Sequence, residues 1–247
     1  QYCRQLCSIL TARDKHLKDL MINTLLSRAG LVALSFAGRT QAFTFRIIPS
    51  STRLQHSALQ MSTDAKTVLV PIADGSEEIE TTCITDTLTR FGASVTIASV
   101  MPDLMCTMSR GIKVVADVSI QDAVGKDWDL IALPGGMPGA EHLRDSKELI
   151  DLLEKQKNSG KMYSAVCASP AVVLASKGLA TPGATCYPAE GFRALLSDPV
   201  DDEVVVKDNL ITSKGPGTSL KFALVLGEQL YGKEKADEIA KAMLVQR

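Results

Sequence analysis

The chain has 247 residues, 45% of them hydrophobic and 22% charged, a balance that suits a globular protein with one sizeable core. A formal net charge of −1 gives no general attraction for nucleic acid or any other polyanion. The six cysteines, at 3, 7, 83, 106, 167 and 186, show no paired spacing, and residues 62–247 hold one histidine, His142, so free thiols are expected and neither a disulfide scaffold nor a metal site is.

The average charge hides an asymmetry. Residues 1–60 carry 8 Lys and Arg against 2 Asp and Glu, while the rest of the chain carries 19 against 26. This basic, acid-poor opening, rich in Ser, Arg and Ala, reads as a targeting leader over 1–61, disordered or cleaved, that addresses the chain to an organelle, mitochondrion or plastid. A disordered leader with no address is the alternative. From Met21 the apolar run AGLVALSFAG is far too short to span a bilayer, so no membrane attachment of the mature form is expected. A start at Met61 would give a bare cytoplasmic domain over 62–247.

Beyond Met61, strand-like and helix-like segments alternate. KTVLVPIA (66–73) is a short β-branched run, and EEIETTCITDTLTRFGA (77–93) follows with Ile79, Cys83, Ile84, Leu88 and Phe91 at helical spacing and Gly92 as a stop. SVTIASV (94–100) reads as a second strand and GIKVVADVSI (111–120) as an extended or hairpin segment. DWDLIALPGG (127–136) is a buried strand ending in a glycine turn. DSKELIDLLEKQKNSG (145–160) is the clearest helix, capped by Asp145 or Ser146 and ended by Gly160. MYSAV (162–166) predicts a strand and Pro170 opens a helix. EVVVKDNLITSK (203–214) predicts a hairpin turning at Asp208-Asn209, and two helices, 215–232 and 233–245, close the chain. This alternation implies an α/β fold with a mostly parallel sheet covered by helices on both faces. In such sheets functional groups gather outside the carboxyl ends of the strands, here the loops 74–80, 134–139 and 166–170.

The last of these loops carries the chemistry. Between MYSAV and the helix from Pro170, Cys167 falls on a sharp strand-to-helix turn flanked by the small residues Ala165, Ala168 and Ser169, as in a nucleophile elbow. Unpaired N–H groups and the positive end of a helix dipole favour thiolate there; a buried structural thiol is the alternative. PGGMPG (134–139) lacks the lysine and glycine spacing of a phosphate loop, but the N–H groups of Gly136 and Ala168 form a candidate oxyanion pair. In ADGSEEIE, Glu77 and Glu78 read as solvated acids that complement the helix dipole. Glu80 points from the first turn toward the strand ends, where a poorly solvated carboxyl beside a thiolate would have its pKa raised and could move a proton. Of the other thiols, Cys83 reads as helix core, Cys106 as an exposed loop thiol, and Cys186 as either buried or pocket-lining. His142 reads as a surface residue, and Ser169 as no more than a possible tuner of the thiolate.

Four stretches, GSEEIE, LPGGMPGAEHL, AVCASP and LITSKGPGTSLKFAL, fall in order over residues 66–247. Together they resemble the ThiJ/PfpI superfamily, in the branch that contains Parkinson disease protein seven, the protein deglycase. The resemblance implies a flavodoxin-like sandwich that forms a homodimer. It makes Cys167 the nucleophile, Glu80 its protonated partner, and Gly136 and Ala168 the backbone anion-binding positions. It also places Gly135, Tyr187, Arg90 and Arg110 at or near the pocket, the two arginines close to the dimer interface.

The implied activity is a glutathione-independent glyoxalase III-type lyase that needs no cofactor and converts methylglyoxal to lactate and glyoxal to glycolate. Deglycation of proteins, a hydrolase activity on glycated adducts, is implied with it. The readily oxidised cysteine supports a second reading, an oxidative-stress sensor or redox-regulated chaperone. Two departures shape the expectation. Ala168 stands where protease-like branches carry histidine, so a Cys-His dyad is absent, and no downstream His-x-Glu exists for amidotransferase chemistry. Tyr187 stands where some relatives carry histidine; if that histidine moves a proton, Tyr187 must replace it or turnover is weaker.

Overall fold

In a computed structural model of the chain, the structure describes residues 65–246. The expected leader, its address and its boundary at Met61 lie outside them. The described chain opens on strand β1 (Thr67–Ile72), helix α1 (Glu78–Phe91) and β2 (Ser94–Ser99). A small antiparallel ribbon, β3 (Met105–Thr107) and β4 (Lys113–Val115), precedes β5 (Val118–Ser119) and the single turn α2 (Ile120–Ala123). Then come β6 (Leu130–Leu133), α3 (Gly139–Asp145), α4 (Lys147–Ser159) and β7 (Met162–Val166). A short turn of helix, α5 (Glu190–Arg193), the hairpin β8 (Val204–Lys207) and β9 (Leu210–Ser213), and helices α6 (Ser219–Tyr231) and α7 (Lys233–Ala242) complete it.

Seven strands form one sheet in the order β5-β2-β1-β6-β7-β9-β8, parallel except for β8 at one edge. The expected mostly parallel α/β sandwich is therefore the observed one. Its strands read as continuous apolar runs because both faces are covered. Leu69 and Ile131 pack one way, toward Leu143, Leu149 and Leu153 of α3 and α4. Their neighbours Val68, Val70 and Leu130 pack the other way, toward Ile84 and Leu88 of α1 and Phe222 and Leu226 of α6. α7 seals the outside of the second layer through Ala236, Ile239 and Ala240 against Phe91 and Leu224.

The termini of the long helices follow their sequence signals. The Ser146 hydroxyl accepts from the Leu149 N–H at the start of α4, and Gly160 closes it with φ 71°. The segment after the elbow departs from expectation. Pro170–Leu174 is π-helical and passes directly into a 3₁₀ turn, Ala175–Lys177, ended by Gly178, so no regular α-helix follows Cys167.

β1 is flanked by β2 and β6, so the strand order reverses between β1 and β6. The loops leaving β1, β6 and β7 therefore meet above this switch point, where open α/β sheets leave a crevice.

Candidate active site

Cys167 follows the last residue of β7 and has φ 64°, a left-handed conformation that a non-glycine residue adopts only when its surroundings enforce it. The enforcement is visible. The Cys167 N–H donates to the Ser213 carbonyl at 3.0 Å, continuing the β7–β9 ladder, and its own carbonyl accepts from the Tyr187 N–H at 2.8 Å. Gly135 lies against the turn so closely that a Cβ there would stand 2.6 Å from the Cys167 Cβ and 2.9 Å from the Ala168 nitrogen. The Ser169 hydroxyl donates to the Pro134 carbonyl at 2.5 Å, which ties the elbow to the glycine loop.

Glu80 is fully buried beneath the cysteine. Its N–H donates to the capping carboxylate of Glu77 at 2.8 Å, and its Oε2 accepts from the Gly135 N–H at 2.7 Å. Oε1 has no hydrogen-bond partner, and the Cys167 thiol lies within reach of the carboxyl group. Burial pushes the Glu80 carboxyl up from 4.5 to about 7, against the stabilising Gly135 N–H. The thiol is pushed up too, to about 12, first by burial and then by the neighbouring carboxylate. Burial and the carboxylate thus oppose the thiolate that the N–H groups at this turn favour, and the segment after the elbow is π-helical rather than a regular helix.

What favours a charged sulfur is local. The N–H groups of Gly136 and Ala168 both face Sγ and lower its pKa. Each charge of the pair penalises the other, so from about pH 7 upward, where the first proton leaves, Glu80 and Cys167 hold one negative charge between them. With the proton on Glu80 Oε1, that charge rests on a sulfur facing two backbone donors.

A cavity of about 400 Å³ opens above the sulfur, within the range of about 300–1,000 Å³ typical of ligand pockets. Cys167, Ala168 and Gly136 form part of its lining, with Tyr187, Phe192 and Met137 as apolar walls. The Tyr187 and Phe192 rings meet edge-on at 6.4 Å between centroids, and a Cβ on Gly215 would touch the Tyr187 ring at 3.3 Å. Tyr187 thus lines the same cavity as Cys167.

Glu77, Ser109, Arg110 and Pro216 complete the lining. Arg110 therefore lines the cavity that Cys167 lines. Arg90 is not among the lining residues: it lies in the last turn of α1, paired with Asp86 at 2.8 Å across one helical turn.

The acidic run differs from its solvated reading, because Glu77 and Glu78 are both buried. The Glu78 carboxylate accepts from the Ser109 hydroxyl at 2.8 Å and the Arg110 N–H at 2.7 Å, pinning the β3–β4 turn over the start of α1. Burial works against that charge, yet these donors hold Glu78 below the usual range. Ser109 and Phe192 carry no sequence signal for the site, whereas Met137 and Pro216 lie within the stretches PGGMPG and LITSKGPGTSLKFAL without standing out in them.

Cys106, expected exposed, is buried on the inner side of β3 with its sulfur 3.4 Å from the Ser99 hydroxyl. Cys83 is only partly buried, and Cys186 packs with Ala171, Ala184 and Leu196. Among the described residues no group of three or more His, Cys, Asp or Glu is arranged to hold a metal ion, and no helix is long and apolar enough to cross a membrane.

Comparison with known proteins agrees with this fold. The model of the DJ-1/PfpI family matches residues 66–229. "Protein DJ-1 homolog B" of Arabidopsis thaliana is 46% identical over 179 residues, 72% of this chain, which spans only 41% of that protein's length. A Caenorhabditis elegans protein named "Glutathione-independent glyoxalase DJR-1.2" is 37% identical over 184 residues, covering 71% of this chain and 94% of the relative. The solved structure of oxidized Toxoplasma gondii DJ-1 superposes with a TM-score of 0.72 at 44% identity, over 74% of this chain and all of that one.

Proposed function

This chain belongs to the DJ-1/PfpI family, and from that premise we propose that it detoxifies reactive dicarbonyls by cysteine-dependent, cofactor-independent catalysis, converting methylglyoxal to lactate without glutathione. One observation carries the reading: a fully buried carboxyl with a raised pKa beside a cysteine that faces two backbone N–H donors. The relative named as a glutathione-independent glyoxalase supports it.

The steps follow from that arrangement. The Cys167 sulfur attacks the aldehyde carbon, forming a C–S bond and a hemithioacetal oxyanion that faces the N–H groups of Gly136 and Ala168. Glu80 gives its proton to that oxyanion, and as the carboxylate it then removes the proton from the sulfur-bearing carbon and returns it to the adjacent carbon through an enediol. The aldehyde carbon is thereby oxidised and the ketone carbon reduced, leaving a lactyl thioester. Water cleaves the C–S bond, releasing lactate and the thiol. Early glycation adducts of proteins, in which the aldehyde carbon is bonded to an amine or thiol, would meet the same attack once that group leaves and the aldehyde is restored.

The full chain is expected to form lactate from methylglyoxal in the absence of glutathione, and Cys167→Ala to form none above the uncatalysed rate. Equal turnover by the variant would remove the nucleophile from the reading. A second reading, a redox sensor, draws on the Toxoplasma relative solved in an oxidized form. The same N–H groups and Glu80 would hold a cysteine sulfinate. Sulfinate on Cys167 after limited peroxide, together with no dicarbonyl turnover, would favour that second reading.

A second copy of this chain is the proposed partner. Val115 is 66% exposed and Met105, opposite it in the ribbon, 52%, with Ile112 exposed in the turn between the two strands and Ile79 exposed next to Glu78 at the start of α1. Exposed apolar side chains on a ribbon fastened to α1 by Glu78 support this reading, because such patches favour contact with another protein surface. The full chain is expected to sediment as a dimer, and Val115→Asp to shift it toward monomer by at least tenfold in Kd; a monomeric wild type rules this partner out.

A further inference from the structure

A second cavity, of about 510 Å³, adjoins the one above Cys167, and Met137 and Phe192 line both. Its remaining walls come from α3, from the π-helical turn after the elbow and from the segment around α5. Val172 and Leu195 supply its apolar surface. The polar side chains around it are already engaged. The Ser176 hydroxyl donates back to the Val172 carbonyl at 2.7 Å, and the Arg144 guanidinium grips Asp145 through two bonds of 2.7 and 2.9 Å. Arg144 thus offers its aliphatic stem, while the Glu141 carboxylate makes the cavity unfavourable for an anionic group.

Met137, at 43% exposure, and Leu195, at 53%, are large apolar side chains left open to water around this space. A three-carbon substrate held on Cys167 needs none of it. We propose that this second cavity is the subsite for the substituent on the ketone carbon of a 2-oxoaldehyde, so that the preferred substrates carry an uncharged alkyl or aryl chain longer than a methyl group. The proposal rests on Cys167 attacking the aldehyde carbon, which directs the chain on the neighbouring carbon away from the sulfur. Met137 and Phe192, the side chains common to both spaces, would contact the first atoms of that chain. Leu195, which lines the second cavity alone, would contact its far end.

The test is a series of 2-oxoaldehydes from methylglyoxal to a hexyl-substituted member and phenylglyoxal, with the full chain and with Leu195→Asp. Leu195 is exposed enough for the substitution to leave the fold intact. In the wild type, kcat/KM is expected to rise by up to about fourfold for each methylene that enters the cavity. The ratio of kcat/KM for the hexyl substrate to that for methylglyoxal is expected to fall at least tenfold in Leu195→Asp. A flat series in the wild type, or the same ratio in both proteins, overturns the proposal.

Absence of turnover with every member would instead fail the glyoxalase reading. A second measurement then decides the subsite: the rate at which N-methyl and N-hexyl iodoacetamide alkylate Cys167, with Cys167→Ala as the blank. Faster reaction with the hexyl reagent, lost in Leu195→Asp, supports the cavity as a chain-binding subsite. Equal rates in the wild type overturn it.

Discussion

Gly135→Ala is expected to cost about 10²–10³ in methylglyoxal turnover and about 1–3 kcal/mol in stability. The residue does three things that need no side chain. Its N–H holds Glu80 Oε2 at 2.7 Å, its carbonyl accepts the Glu77 N–H at 3.0 Å, and its bare Cα lets the elbow close over it. An added methyl would meet the Cys167 Cβ at 2.6 Å, the Ala168 nitrogen at 2.9 Å and the Val166 carbonyl oxygen at 2.9 Å. None of these is the free end of a flexible chain, so the loop or the elbow must move.

Either movement separates Sγ from the N–H groups of Gly136 and Ala168 and loosens Glu80. The rate loss should therefore exceed what the stability loss alone explains. Turnover assayed well below the melting temperature of the variant separates the two effects. A variant with wild-type turnover and melting temperature would show that these three loops do not pack as described.

That interlock explains why some of the site can be read from sequence and some cannot. Cys167 is legible because the turn demands small neighbours on both sides and a proline can open the next segment, all within six residues. The parallel sheet is legible because strands covered on both faces need apolar residues at every position, as Val68, Leu69 and Val70 illustrate. Glu80 is legible only by its offset from two other acids.

The burial of Glu77 and Glu78 is not legible, since Ser109 and Arg110, which meet Glu78, lie about thirty residues away in a ribbon whose strands are three residues long. Such short strands show no period, and the same fact hides the inward direction of Cys106. Arg90 and Arg110 look alike in sequence, yet one pairs with Asp86 along its own helix and the other is held over the pocket. The pKa of the cysteine turns on competition between burial and backbone donors, and only packing decides it.

Glu80→Gln tests that competition, because its effects on activity and stability should have opposite signs. Loss of the proton carrier is expected to lower turnover by about 10²–10⁴-fold. For stability, the folded carboxyl has its pKa raised from 4.5 to about 7 by burial. A raised folded pKa means that the native state binds the extra proton between these values. Its contribution is full below pH 4.5 and is lost as the pH climbs through about 7.

Above that point the wild type carries a charge in a buried place, worth about 3 kcal/mol from the size of the rise, and glutamine does not. Glu80→Gln should therefore melt higher than the wild type at pH 8, and the difference should close by pH 5. Alkylation of Cys167 by iodoacetamide reads the same pair from the other side. Its rate in the wild type should rise through an apparent pKa near 7, as the pair loses its first proton. In Glu80→Gln, with burial still acting on the thiol and no carboxyl to take its proton, the inflection should move upward. A variant that melts lower at pH 8 and keeps the inflection near 7 would mean that Glu80 is ionised and stabilising in the folded protein, and the acid–base role would then fall to another group.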